Sequence, residues 1–128
     1  MNPSPSLKWA AAFGATGIAI GALGAHALES VLSPEHLNSV ETAVRYQLFH
    51  ALVLLVLGLS QQAVQFKRSL QLFQYGTLMF SGSIYLLILF KYFDLPSLVL
   101  VPITPLGGLL LIMAWLSLGL TKWTAQKG

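Results

Sequence analysis

Four long apolar stretches, at about 7–28, 43–60, 70–93 and 105–123, are separated by short polar breaks along the chain. Each is near the ~20 residues with which a helix crosses a ~30 Å hydrocarbon core. A helix also satisfies its own backbone hydrogen bonds, which the bilayer interior requires. The pattern predicts an all-α, integral-membrane four-helix transmembrane bundle, in one domain because the breaks are too short to hold a second. The second helix has a start signal ahead of its apolar run: Ser33 caps, Pro34 suits the first helical position and Glu35 favours the positive end of the helix dipole. Asn38 followed by Glu41 resembles a second start. Either the helix begins at Pro34 and projects from the bilayer, or a short interfacial helix precedes the span.

Composition agrees with this class. Hydrophobic residues make up 55% of the chain and charged residues only 9%, where a soluble domain carries roughly a quarter. The absence of cysteine excludes disulfides, thiolate metal sites and cysteine nucleophiles. The basic balance reports topology rather than nucleic-acid binding. Lys8, Lys67, Arg68, Lys122 and Lys127 fall on one side of an alternating topology, whereas Arg45 and Lys91 share the other with Glu29, Glu35, Glu41 and Asp94. That asymmetry predicts an N-in, C-in orientation. Lys8, the apolar run and Ala25-His26-Ala27 also imitate a cleavable signal peptide. The phased glycines of the same run favour a permanent, packed span.

Those glycines form a stripe. Ala10, Gly14, Gly17, Gly21 and Gly24 are spaced four, three, four and three apart, on one helix face. Glycine weakens a helix, so a phased stripe in lipid predicts close helix approach, within this chain or with a second copy. Gly82 is expected to permit the same in the third helix.

The remaining polar residues cluster near one end of each span: Gly24-Ala-His26-Ala-Leu28, Arg45-Tyr46-Gln47-x-x-His50, Ser81-Gly82-Ser83-x-Tyr85 and Pro102-x-Thr104-Pro105-x-Gly107-Gly108. Alternating spans bring all four to one membrane side. A polar group in hydrocarbon is costly and needs a partner or a task. His50 lies two turns inside its run and either carries protons, holds a polar ligand or is a satisfied interhelical hydrogen bonder. Ser81 and Tyr85 either glue helices together or line a pocket, with Tyr85 within reach of His50 or Arg45. Glu41 and Arg45 are spaced to neutralise each other at the interface. Thr104 is expected to cap the fourth helix, leaving the amides around Gly107 and Gly108 bare for an anion, or else sealed by the threonine itself. No acid of suitable depth orients His50 for hydrolase chemistry, no nucleophile elbow is present, and the histidines lack the carboxylates of a metal site. Catalytic residues, metals and cofactors are therefore not expected.

Taken together, Gly-Ala-His-Ala-Leu, Ala-Val-Arg-Tyr-Gln-x-x-His-Ala-Leu, Phe-Ser-Gly-Ser-x-Tyr and Pro-Ile-Thr-Pro-Leu-Gly-Gly, in that order over about Ala10 to Trp115, resemble domain-of-unknown-function family 423. These are small four-helix bacterial inner-membrane proteins, similar to a mitochondrial transmembrane protein of animals. The resemblance implies residence in the bacterial inner membrane. It also implies that His26, Arg45, Tyr46, Gln47, His50, Ser81, Gly82, Tyr85, Thr104, Pro105, Gly107 and Gly108 carry the family pattern; Val101 stands where a glycine would be expected. The family's activity is open, so function is read from the residues. The leading expectation is a non-enzymatic module with an outer-leaflet polar pocket for a lipid head group, a quinone-like amphiphile or a partner helix. Membrane lipids, a homo-oligomer or a larger membrane complex are the expected partners. A small transporter or channel subunit, with His50 and Arg45 lining a path, is the rival.

Overall fold

A computed structural model describes residues 4–61 and 63–122, and among these there are four helices and no strand. They are α1 (Pro5–Ala25), α2 (Pro34–Leu59), α3 (Lys67–Tyr92) and α4 (Ile103–Leu120). All four are long and apolar enough to cross a membrane. The expected four-span architecture is therefore present, with boundaries shifted by a few residues. Trp123, the expected end of the fourth span, and Lys127 lie outside the described residues.

The helix ends have identifiable causes. At α1 the Ser4 hydroxyl accepts from the Leu7 amide, with Pro5 opening the helix. Helix α2 begins at Pro34 with Ser33 accepting from the His36 amide at 3.2 Å, and runs unbroken for 26 residues. At 1.5 Å per residue that is about 39 Å, longer than a ~30 Å core, and no separate helix precedes it between Ala25 and Pro34. Helix α3 stops where Asp94 adopts φ 52° and the Leu95 amide donates to the Phe90 carbonyl at 2.8 Å, a left-handed C-terminal turn.

At α4 the expected cap is wrong. The capping position is Pro102, without a side-chain bond, and Thr104 lies inside the first turn. Pro105 is tolerated because the first intrahelical amide is that of Leu106, which donates to the Pro102 carbonyl.

The helices form an open row. Helix α2 packs on α1 and α3, α4 packs along α3 and meets α2 through Trp115, and α1 only grazes α3. Neighbours run antiparallel: Gly17 lies against Leu48 while Gly24 lies against Val40, and Gly76 lies against Leu111 while Gly107 lies against Phe80. Phe13, Leu54, Leu70, Phe73, Leu111 and Ala114 carry the apolar core. The four polar clusters consequently gather at the end that carries Glu29, Glu35, Glu41 and Asp94, here the acidic end. Lys8, Lys67, Arg68 and Lys122 mark the basic end.

The glycine stripe packs within the chain, but not throughout. Gly17, Gly21 and Gly24 face Leu48, Val44 and Val40 of α2, whereas Gly14 has nothing within 4 Å of where a Cβ would stand. The buried line of α1 runs through Ser6, Ala10, Phe13 and Gly17, so Gly14 sits to one side of it. Gly82 is also open, contrary to expectation. Its neighbours Ser81 and Ser83 turn toward α2 and α4, which leaves Gly82 on a third face. Gly17→Leu is therefore expected to cost about 1–3 kcal/mol in a denaturing-detergent titration, the usual cost of overpacking. Gly14→Leu should be nearly silent; equal effects would remove the packing role assigned to the stripe.

Candidate functional site

Gln47 is the polar hub of the bundle. It is buried on α2, and its Nε2 donates to the Phe13 carbonyl at 2.9 Å and to Thr16 Oγ1 at 2.7 Å, both on α1. Its Oε1 accepts from the Tyr85 hydroxyl of α3 at 2.9 Å. One amide thereby ties three helices. The long reach of Tyr85 follows from helix geometry, because side chains lean toward their own N-terminus. In antiparallel α2 and α3, Gln47 and Tyr85 each lean back toward the level where Ser81 Oγ donates to the Ala43 carbonyl at 2.7 Å. On the other side of α3, Ser83 donates to its own Phe80 carbonyl at 3.0 Å, so Thr104 is the donor in the 2.6 Å bond between their hydroxyls. Satisfied interhelical bonds thus account for Gln47, Ser81, Tyr85 and Thr104.

A different set of residues lines an open groove. Helices α2 and α4 stand apart over α3, leaving a trough of about 790 Å³ whose walls include Arg45, Tyr46 and Phe49 on one side and Pro105, Gly108, Ile112 and Trp115 on the other, with Phe80 beneath. Arg45 is exposed at its mouth. The deep end is closed by His50. Its Nδ1 donates to the Tyr46 carbonyl at 2.7 Å, which leaves Nε2 to accept from the Trp115 indole N–H at 3.4 Å. Its ring packs 5.3 Å from Phe49 and 5.6 Å from Phe73, between centroids. Both imidazole nitrogens are engaged inside the fold. From Pro105 to Trp115 the trough spans ten residues, about 15 Å at 1.5 Å per residue, close to half of a ~30 Å hydrocarbon core.

The residues singled out from sequence therefore divide. Arg45, Tyr46, His50, Pro105 and Gly108 meet in the groove. Tyr85 instead lines a separate apolar recess with Ile20, Leu32 and Tyr92, and Thr104 a third beside Lys91 and His36. Tyr85 bonds Gln47, not His50 or Arg45. His26 is exposed at the C-terminal cap of α1 and does not join His50. Gly107 is turned into α3, where a Cβ would overlap the backbone of Phe80. Its amide region is covered by packing rather than bared for an anion. Arg45 and Glu41 line one shallow recess between α1 and α2 together with Glu29.

Sequence reasoning singled out Ser81 on α3 but passed over Ser69, Gln74 and Thr77, which are buried as it is. Ser69 bonds Ser117 at 3.1 Å, Gln74 reaches Ser6 at 3.5 Å, and the Thr77 hydroxyl has no partner. Part of the signal was present: Gln74, Thr77 and Ser81, three and four apart within an apolar run, share one helix face, whereas Ser69 is turned toward α4. Phe80 and Trp115 had no such signal, because an aromatic in an apolar span looks alike on any face.

The comparisons with known proteins agree with the membrane architecture. The model of the protein family of unknown function DUF423 matches residues 20–108. The chain is 38% identical over 112 residues to a UPF0382 membrane protein of Haemophilus influenzae, covering 86% of each chain. It is 39% identical over 103 residues to a UPF0382 membrane protein of Staphylococcus epidermidis, covering 79% of this chain and 80% of that one. It is 34% identical over 112 residues to the UPF0382 inner membrane protein YgdD of Escherichia coli, covering 85% and 82%. No solved structure matches. Four spans and relatives so named make this a multi-pass protein of the bacterial inner membrane. The chain belongs to the DUF423 family of uncharacterised small membrane proteins.

Proposed function

We propose that this protein is a non-enzymatic membrane module that holds a lipid-like amphiphile with an anionic head in the groove between α2 and α4. The observation that carries the reading is the groove's polarity along its length: a single arginine at the mouth and an aromatic and aliphatic trough below it. Arg45 is always charged and its fork matches phosphate or carboxylate oxygens. The ~15 Å trough suits a chain lying within one leaflet. Positive-inside asymmetry makes that the outer leaflet, with both termini cytoplasmic. His50 adds polarity at the deep end while both its nitrogens stay bonded, which weighs against a proton-carrying path and for a structural wall.

Native mass spectrometry of protein extracted in mild detergent tests this. The expected result is a retained amphiphile, reduced roughly tenfold to a hundredfold by Arg45→Ala, as loss of a charge-assisted bond implies. Ile112→Trp, which fills the trough, should expel it as well. A groove that is empty after extraction, with no change in phosphatidylglycerol retention on Arg45→Ala, would overturn the reading.

A further inference from the structure

A second groove lies at the opposite end of the molecule and on another face of α4. It is about 480 Å³, runs between α3 and α4, and has Arg68 and Thr121 at its rim with Leu72, Met113, Leu116 and Leu120 along its wall. Thr121 and Arg68 stand at one level, because α4 ends where α3 begins and Ser69 bonds Ser117 across the pair. From Met113 to Thr121 the wall descends eight residues, about 12 Å, which stays within a single leaflet.

The charges around this groove are of one sign. Arg68 is exposed, Lys67 and Lys122 flank it, and Lys8 lies at the same end. The four acidic side chains of the sequence, Glu29, Glu35, Glu41 and Asp94, lie at the other end. Among the described residues no acidic side chain lies at the end that carries Arg68. A guanidinium beside a hydroxyl offers donors to phosphate oxygens, and the leucine and methionine wall offers a bed for an acyl chain.

We infer that the α3–α4 groove is a binding site for an anionic phospholipid of the leaflet beside the basic end, with the phosphodiester at Arg68 and one acyl chain along Leu72, Met113 and Leu116. The inference does not rest on occupation of the α2–α4 groove.

The test uses the full chain carrying Arg45→Ala, which removes the charge of the other groove. Palmitoyl-oleoyl phosphatidylglycerol and phosphatidylcholine, which differ only in the head, are titrated in native mass spectrometry. Phosphatidylglycerol should bind about fivefold better, and Arg68→Gln should abolish the preference, the effect expected of one basic residue at a membrane surface. Lys8→Gln, at the same end but outside the groove, should keep it. Leu120→Glu places a carboxylate in the groove without touching Arg68 and should also abolish the preference. That variant carries the test should Arg68→Gln lose its helical content by circular dichroism. Equal binding of the two lipids, or equal losses on Lys8→Gln and Arg68→Gln, would overturn the site in favour of diffuse charge attraction.

Discussion

Gly107→Ala is expected to be the most damaging single-methyl change in this protein. A Cβ there would stand 2.8 Å from the Phe80 Cα and 2.9 Å from the Met79 carbonyl carbon, backbone atoms that cannot rotate away as a side chain can. Relief requires α4 to move off α3, the helix along which it packs. Overpacking typically costs ~1–3 kcal/mol, and rigid backbone on both sides puts this case near about 3 kcal/mol. Gly108→Ala is the internal control, since its Cβ would meet the Phe80 ring at an ordinary 3.7 Å. Two measurements separate the outcomes: the midpoint of a denaturing-detergent titration, and disulfide yield between cysteines introduced by Ser83→Cys and Thr104→Cys in this cysteine-free chain. Indistinguishable behaviour of the two alanine variants would show that α3 and α4 do not approach as closely as described.

The second large effect is expected at Gln47. Gln47→Leu keeps the bulk but leaves the Phe13 carbonyl, Thr16 and the Tyr85 hydroxyl without their common partner. Interhelical hydrogen bonds in bilayers average about 0.6 kcal/mol and reach about 1.7. Three that converge on one buried amide should give a loss of about 2 kcal/mol. Tyr85→Phe removes one of the three and should cost about a third of that by the same average. Combining the two should cost less than their sum, because both remove the same bond. A Gln47→Leu protein as stable as the parent would mean that the hub is not what joins α1, α2 and α3.

These two residues also show how far the sequence reaches. Gln47 and Gly107 are both visible in the sequence as members of the polar clusters from which an outer-leaflet pocket is expected. Gln47 proved to be bonded wholly within the protein, and Gly107 proved to be a packing contact. An amide or a glycine at the right depth has the same appearance in sequence whether its partner is a ligand or a neighbouring helix. His50 and Trp115 illustrate the same point from the other direction. The histidine was noticed because it is polar, but the indole that satisfies it is one apolar-span residue among many until α2 and α4 are placed over α3.

What the sequence by itself determined is whatever depends on distance along the chain. Span number and length follow from hydropathy measured against bilayer thickness. The start of α2 follows from Ser33-Pro34-Glu35, and the shared level of the four polar clusters follows from alternation of short-linked spans. Only the tertiary structure decided which face meets which. The helices make an open row, so they leave the α2–α4 groove that gathers Arg45, Tyr46, His50 and Gly108, while Tyr85 and Thr104 turn into other recesses. The physical reason is that lipid is as apolar as a leucine face, so hydropathy does not distinguish a helix side that packs from one that faces the bilayer. That choice rests on close steric fits, such as Gly107 on Phe80, and on hydrogen bonds such as those of Gln47, which exist only once the helices have met.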